Sequence, residues 1–234
     1  MMTDKKTLIL GNKHYYNFKL DNIIDSFDVV YRFNLACPGK NSGTKFGILA
    51  MCCHVYENFV ARSINKEEAI RKYKHDYDTS FLSNWYDFFQ ENKGNFDKIY
   101  HESEKPFGDW NRVLEEHGSP HRFSRLLSTG YSVILRNLVE GNDKIYVSGF
   151  TLCPEELRES IGDADGRALE RSQGKSCHDF SEESRILAWL HNNKKIDASL
   201  CMLEDTEGLS LKPNEYGTEP SEFILGLLNK EHEA

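Results

Sequence analysis

His178 and Glu183 stand five residues apart within residues 176–192, SCHDFSEESRILAWLHN. The stretch reads as the start of a helix. Asp179 suits the N-cap, and Glu182, three residues on, can reach back to complete a capping box. Ile186, Leu187 and Leu190 then mark a buried stripe at helical spacing. In that frame His178 is N′ and Glu183 is N4, two positions that pack together when they carry apolar side chains. Here they carry an imidazole and a carboxylate, the parts of an oriented general base: the acid fixes the tautomer and the other ring nitrogen faces the reaction. The helix N-terminus disfavours the imidazolium and Glu183 favours it, so either balance holds the ring near neutral pH. The same residues also make an ordinary polar cap with a solvated histidine, and the rest of the chain bears on that choice.

A base needs elements that hold it against a substrate. Lys6–Leu10 (KTLIL) is a continuous apolar run closed by Gly11 and Asn12, the pattern of a strand buried on both faces. Residues 27–33 (FDVVYRF) form a second such run ending at Asn34, and residues 45–53 (KFGILAMCC) a third ending at His54. In open α/β sheets ligands sit beyond the carboxyl ends of the strands. Asn12, Asn34 and His54 therefore fall on one expected rim. Asn also ends strands for local reasons, and Gly11-Asn12 is not a GxGxxG dinucleotide fingerprint.

Residues 127–138 (LSTGYSVILRNL) set Ser128, Thr129 and Gly130 before an apolar helical run. A small hydroxyl-and-glycine turn at a helix N-terminus suits an anion or nucleotide, and it equally suits a plain N-cap. Residues 143–150 (DKIYVSGF) read as a further strand ending at Ser148-Gly149. The alternation of strands and helices predicts an α/β fold, a Rossmann-like, mostly parallel central sheet flanked by helices. Between these blocks, residues 63–95 predict two surface helices. Phe81, Leu82, Trp85, Phe88 and Phe89 line one face of the second, a stripe for packing on the sheet. Residues 96–100 predict a short strand, residues 101–120 a loop, and residues 151–177 a flap next to His178. Residues 197–203 predict a last edge strand, residues 204–220 a loop, and residues 221–229 a terminal helix.

The chain has 234 residues, 39% hydrophobic and 28% charged, with a net charge of −8. These values fit one folded domain over residues 1–234. They exclude a nucleic-acid binder, which needs a concentrated basic surface. No run reaches the ~18–20 apolar residues of a membrane span, and the N-terminal run lacks a signal-peptide cleavage pattern. Six cysteines show no CxxC spacing. Cys52 and Cys53 are expected in the core, as reduced thiols of a cytoplasmic protein, and no structural zinc site is expected.

The order of these blocks resembles the sialyltransferases, animal-type and related bacterial. The family's long motif is similar to Gly11, Asn12, Asp28, Val30, Arg32, Asn34 and Gly47. Its short motif is similar to Ser128, Thr129 and Gly130 through Gly149, and its very short motif, a His with a Glu five residues on, to His178 and Glu183. About half the chain is covered, in four ordered blocks. The resemblance implies a metal-independent, inverting transferase without a cofactor, using a CMP-activated sugar as donor and a glycan or glycolipid as acceptor. It implies that Gly11, Asn12, Asn34, Ser128, Thr129, Gly130 and Gly149 bind the nucleotide donor. It implies that His178 deprotonates the acceptor hydroxyl while Glu183 orients it. The setting implied is the cytoplasm, including the inner face of a membrane through peripheral contact, with the oligomeric state open.

The chain departs from the family in lacking its motif cysteines, its His-Tyr motif between Gly149 and His178, and a tyrosine pair for the leaving phosphate. Arg167, Arg171 and Lys175 of the flap, or Tyr131, are the substitutes on offer. Beside sialic acid transfer stand a CMP-Kdo-dependent transferase, a degenerate non-catalytic nucleotide-binding protein, and a hydrolase using His178 with an Asp.

Overall fold

The structure is a computed structural model that describes residues 5–12, 20–36, 38, 42–102, 107–141, 144–150, 152, 178–203, 211, 214 and 216–233. Its centre is a five-stranded, all-parallel sheet of β1 (Lys6–Leu10), β2 (Val29–Phe33), β3 (Ile48–Met51), β4 (Lys98–His101) and β5 (Lys144–Ser148). The spatial order is β4-β3-β2-β1-β5. The fold is α/β and Rossmann-like, as the apolar runs predict. Four of the five residues of β1 and of β5 are buried, because helices cover both faces of the sheet. β4, at the edge, is the least buried strand.

Side-chain alternation sorts the core into two layers. Leu8, Leu10 and Val30 pack with α1 (Leu20–Asp25) and the terminal helix, α8 (Glu222–Glu233). On the same face Leu49 and Met51 pack with α2 (Cys53–Tyr56), α3 (Lys66–Tyr73) and α4 (Thr79–Asn92). The stripe on α4 buries Leu82, Trp85 and Phe89, as expected, and Phe88 stacks on Phe46. On the opposite face Ile9, Phe33, Ala50 and Val147 meet α5 (Phe107–Glu116), α6 (Thr129–Val139) and α7 (Phe180–Asn192).

Three expectations are corrected. Residues 101–120 are not all loop, since α5 occupies half of them and buries Trp110 and Leu114 at a four-residue step. Residues 197–203 make no edge strand. Asp197 alone bridges Tyr146, and Ser199–Met202 then winds into a 3₁₀ turn. The Asp197 carboxylate accepts the Ser199 N–H at 3.0 Å and its hydroxyl at 2.5 Å, a local closure that competes with the sheet ladder. Cys53 is exposed and Cys52 only half-buried, because the strand ends at Met51 and the chain turns into α2. The flap at 151–177 lies outside the described residues apart from Leu152, which is buried.

Several long-motif residues build the sheet. Asp28 accepts the Lys6 N–H at 2.8 Å and pins the start of β1 to β2. Arg32 is buried, and its guanidinium donates to the carbonyls of Ser42 and Lys45 at 2.7 and 2.8 Å. Gly47 has φ +62, and a Cβ there would lie 2.2 Å from the Val30 oxygen.

Candidate functional site

The chain adds β2, β3 and β4 outward on one side of β1, then returns to lay β5 on the other side. The carboxyl ends of β1 and β5 thus form the switch point where an open parallel sheet leaves a crevice. Gly11 and Gly149 make that junction. The Gly11 N–H donates to the Ser148 carbonyl at 2.7 Å. A Cβ on Gly11 would come within 2.4 Å of the Gly149 oxygen, and a Cβ on Gly149 within 2.4 Å of the Gly11 oxygen. Asn12 follows directly. Its Oδ1 is buried without a hydrogen-bond partner among the described residues, a costly state unless something donates to it.

Asn34 closes β2 at φ +49, a left-handed conformation that Asn tolerates. Its Oδ1 accepts the Cys52 N–H at 2.8 Å, so that oxygen ties the ends of β2 and β3 together. His54, the third expected rim residue, is exposed on α2, with both ring nitrogens 3.6 Å from the Cys52 sulfur.

α6 begins at the same edge. A Cβ on Gly130 would meet the Phe150 ring at 2.5 Å and the Phe33 ring at 3.6 Å. The space that Gly130 leaves is filled by an aromatic floor in which Phe150 sits edge-on to Phe33 and to Tyr131. Tyr131 is 3% exposed, and burial holds its hydroxyl well above the usual phenol range, so it stays protonated. Phe150 escaped the sequence reading of the site. Its signal was its place directly after the strand-closing Gly149.

The entrance of α7 grips the segment before α6. Asp179 is the N-cap, as expected, accepting the Ser181 and Glu182 N–H groups. Glu182 does not complete the capping box; its Oε2 accepts the Ser124 N–H at 2.8 Å. Glu183 is buried, and its Oε1 and Oε2 take the Ser128 N–H at 2.6 Å and the Ser128 hydroxyl at 3.1 Å. His178 Nδ1 lies 2.8 Å from the Leu126 carbonyl. The sequence therefore brings the imidazole and the carboxyl to one helix mouth but misassigns their bonds. A backbone carbonyl orients the ring, and the carboxylate orients Ser128.

Two consequences are chemical. A carbonyl only accepts, so Nδ1 carries the proton, and the neutral ring holds its lone pair on Nε2. Ser128 is the N-cap of α6 but makes no side-chain cap bond, because its hydroxyl serves Glu183. Burial raises the Glu183 carboxyl to about 8, against the lowering effect of the two Ser128 bonds.

One buried acid at this edge went unnoticed in the sequence. Glu102 follows β4, is 2% exposed, and pairs with Arg136 at 2.5 Å and the Tyr100 hydroxyl at 2.9 Å. These partners make it a structural tie between β4 and α6.

Among the described residues no group of three or more His, Cys, Asp or Glu is arranged to hold a metal ion. No helix among them is long and apolar enough to cross a membrane. No protein-family model matches the chain, and no curated protein matches it closely enough to count as a relative.

Proposed function

We propose that the chain is an inverting glycosyltransferase that moves a 2-keto sugar acid, sialic acid, from a CMP-activated donor to a glycan hydroxyl. The observation that carries this reading is the Nδ1 anchor of His178 on the Leu126 carbonyl, which leaves the neutral imidazole basic at Nε2 beside the start of α6. In the proposed reaction the acceptor oxygen attacks the anomeric carbon and its proton passes to Nε2. The bond from that carbon to the phosphate oxygen breaks, and CMP leaves with the electron pair. General-base assistance of this kind is worth roughly 10²–10⁴-fold. The N–H groups at the start of α6, which the Ser128 side chain does not cap, suit a departing phosphate. Asn12 Oδ1 is an acceptor for a donor group of the nucleotide. Glu183 acts through Ser128 as a positioning residue.

A nucleotide-binding protein without transfer activity is the second reading. The absence of a His-Tyr motif between Gly149 and His178 favours it.

The test is incubation with CMP-sialic acid or CMP-Kdo and a panel of glycan acceptors, followed by product analysis. Transfer reading predicts acceptor-dependent release of CMP and a new sialylated product. Transfer from CMP-Kdo alone would reassign the donor. CMP binding with no turnover of either donor would establish the second reading, and free sugar released from the glycans with no CMP donor present would indicate a hydrolase.

A further inference from the structure

Cys52, Cys53 and His54 cross the carboxyl end of β3, where the strand stops at Met51 and α2 begins. The rim of the sheet carries here a thiol and an imidazole that the proposed transfer does not use. The Cys52 sulfur lies 3.6 Å from both Nδ1 and Nε2 of His54. A neutral imidazole holds a proton on one nitrogen and a lone pair on the other. Because the two distances are equal, either tautomer presents an accepting nitrogen to the thiol.

Both residues are held from behind. Asn34 Oδ1 takes the Cys52 N–H at 2.8 Å. The His54 carbonyl accepts from Asn58 Nδ2 at 2.7 Å and from the Tyr73 hydroxyl at 3.1 Å. Asn58 and Tyr73 are buried, and the Tyr73 ring stacks on the imidazole with centroids 6.1 Å apart. Burial raises the Tyr73 hydroxyl above the usual phenol range, so it stays a donor to that carbonyl. The pair is therefore fixed on its inner side, while the imidazole itself is exposed.

The other described thiols set the contrast. Cys53 is exposed where Cys52 is half-buried, and its thiol has no hydrogen-bond partner among the described residues. Cys201 is buried and donates to the Val147 carbonyl at 3.4 Å. Exposure alone would rank Cys53 first in reactivity, Cys52 second and Cys201 last. The reacting form of cysteine is the thiolate, and a base in contact with the thiol raises its share. Only Cys52 has that base beside it among these three.

We infer that Cys52 is a thiol-modification site, activated by His54, that takes a small-molecule disulfide and becomes a mixed disulfide. The Cys52 proton passes to a His54 nitrogen, and the thiolate attacks one sulfur of the disulfide. A new S–S bond forms as the old one breaks, and the departing thiolate takes the proton back from the imidazolium. The site is independent of the transferase reading.

Exposure of the folded chain to glutathione disulfide at neutral pH, with the adduct followed by peptide mass spectrometry, tests it. Cys53→Ser should take the adduct at residue 52 as fast as the parent does. Cys52→Ser should take it at residue 53 about tenfold or more slowly. His54→Phe, made in the Cys53→Ser chain, keeps a ring to stack on Tyr73 and removes both nitrogens. It should slow the reaction of Cys52 about tenfold or more. In urea the rates at residues 52 and 53 should converge, because the unfolded chain no longer holds the pair. Reaction at Cys53 as fast as at Cys52 in the folded chain, or an unchanged Cys52 rate in His54→Phe, would overturn the inference.

Discussion

Glu183 bonds Ser128 twice and leaves His178 to the backbone: its two oxygens take the N–H and the hydroxyl of Ser128, while the imidazole Nδ1 is held by the Leu126 carbonyl. The Glu183 carboxyl and the His178 ring are linked through the segment 126–128. Glu183 can thus affect the start of α6 without touching the ring, which separates the effects of changing each residue.

Glu183 also sets a pH dependence. Its carboxyl is raised from 4.5 to about 8 by burial. Between those values the folded chain keeps a proton that the unfolded chain has released. The contribution to stability is therefore greatest at the acid end, declines as pH rises through this window, and is fully lost above about 8. Glu183→Gln keeps an acceptor for the Ser128 N–H and removes the ionisation. Thermal unfolding followed against pH should show a flatter curve for the variant than for the parent, with the largest gain at the alkaline end. Parallel curves would contradict the buried-acid assignment.

The Gly11–Gly149 junction predicts a steric cost. Gly149 has φ +74, and a Cβ there would strike the Gly11 backbone at 2.4 Å. Gly149→Ala should lower stability by about 2–4 kcal/mol in urea unfolding, from overpacking and left-handed strain together. Gly118 has φ +84 with nothing within 4 Å of its Cβ position, so Gly118→Ala should cost only about 1 kcal/mol. Equal costs would show that the close approach is relaxed in solution.

Arg32 predicts that a motif residue serves the scaffold. Its buried fork reaches carbonyls on the 42–45 turn that a lysine ammonium cannot span together. Arg32→Lys should cost about 2–3 kcal/mol of stability by urea unfolding. An unchanged midpoint would mean that the turn does not depend on this fork.

What the sequence made legible follows from which forces are local. Continuous apolar runs announced β1, β2, β3 and β5, because a strand covered on both faces needs no polar alternation. The Asp179 cap was legible for the same reason, since its hydrogen bonds reach only three residues. α5 was obscured by the prolines and glycines around it, although Trp110 and Leu114 already stood one helical turn apart. The failure at 197–203 came from Asp197, whose carboxylate folds the chain back on itself despite the apolar run that follows. The true partners of His178 and Glu183 lie 52 and 55 residues away in the chain. Spacing within α7 could bring the two side chains to one helix mouth, but only the placing of residues 126–128 against that mouth decides what each one bonds.

His178→Ala tests most directly whether His178 is the base of a transfer reaction. With the Asp179 cap and the Glu183–Ser128 bonds intact, the variant should fold and bind CMP with nearly the affinity of the parent. Its kcat for acceptor-dependent transfer should fall by about 10²–10⁴-fold. Full transfer activity in this variant, or loss of CMP binding in step with activity, would contradict the assignment.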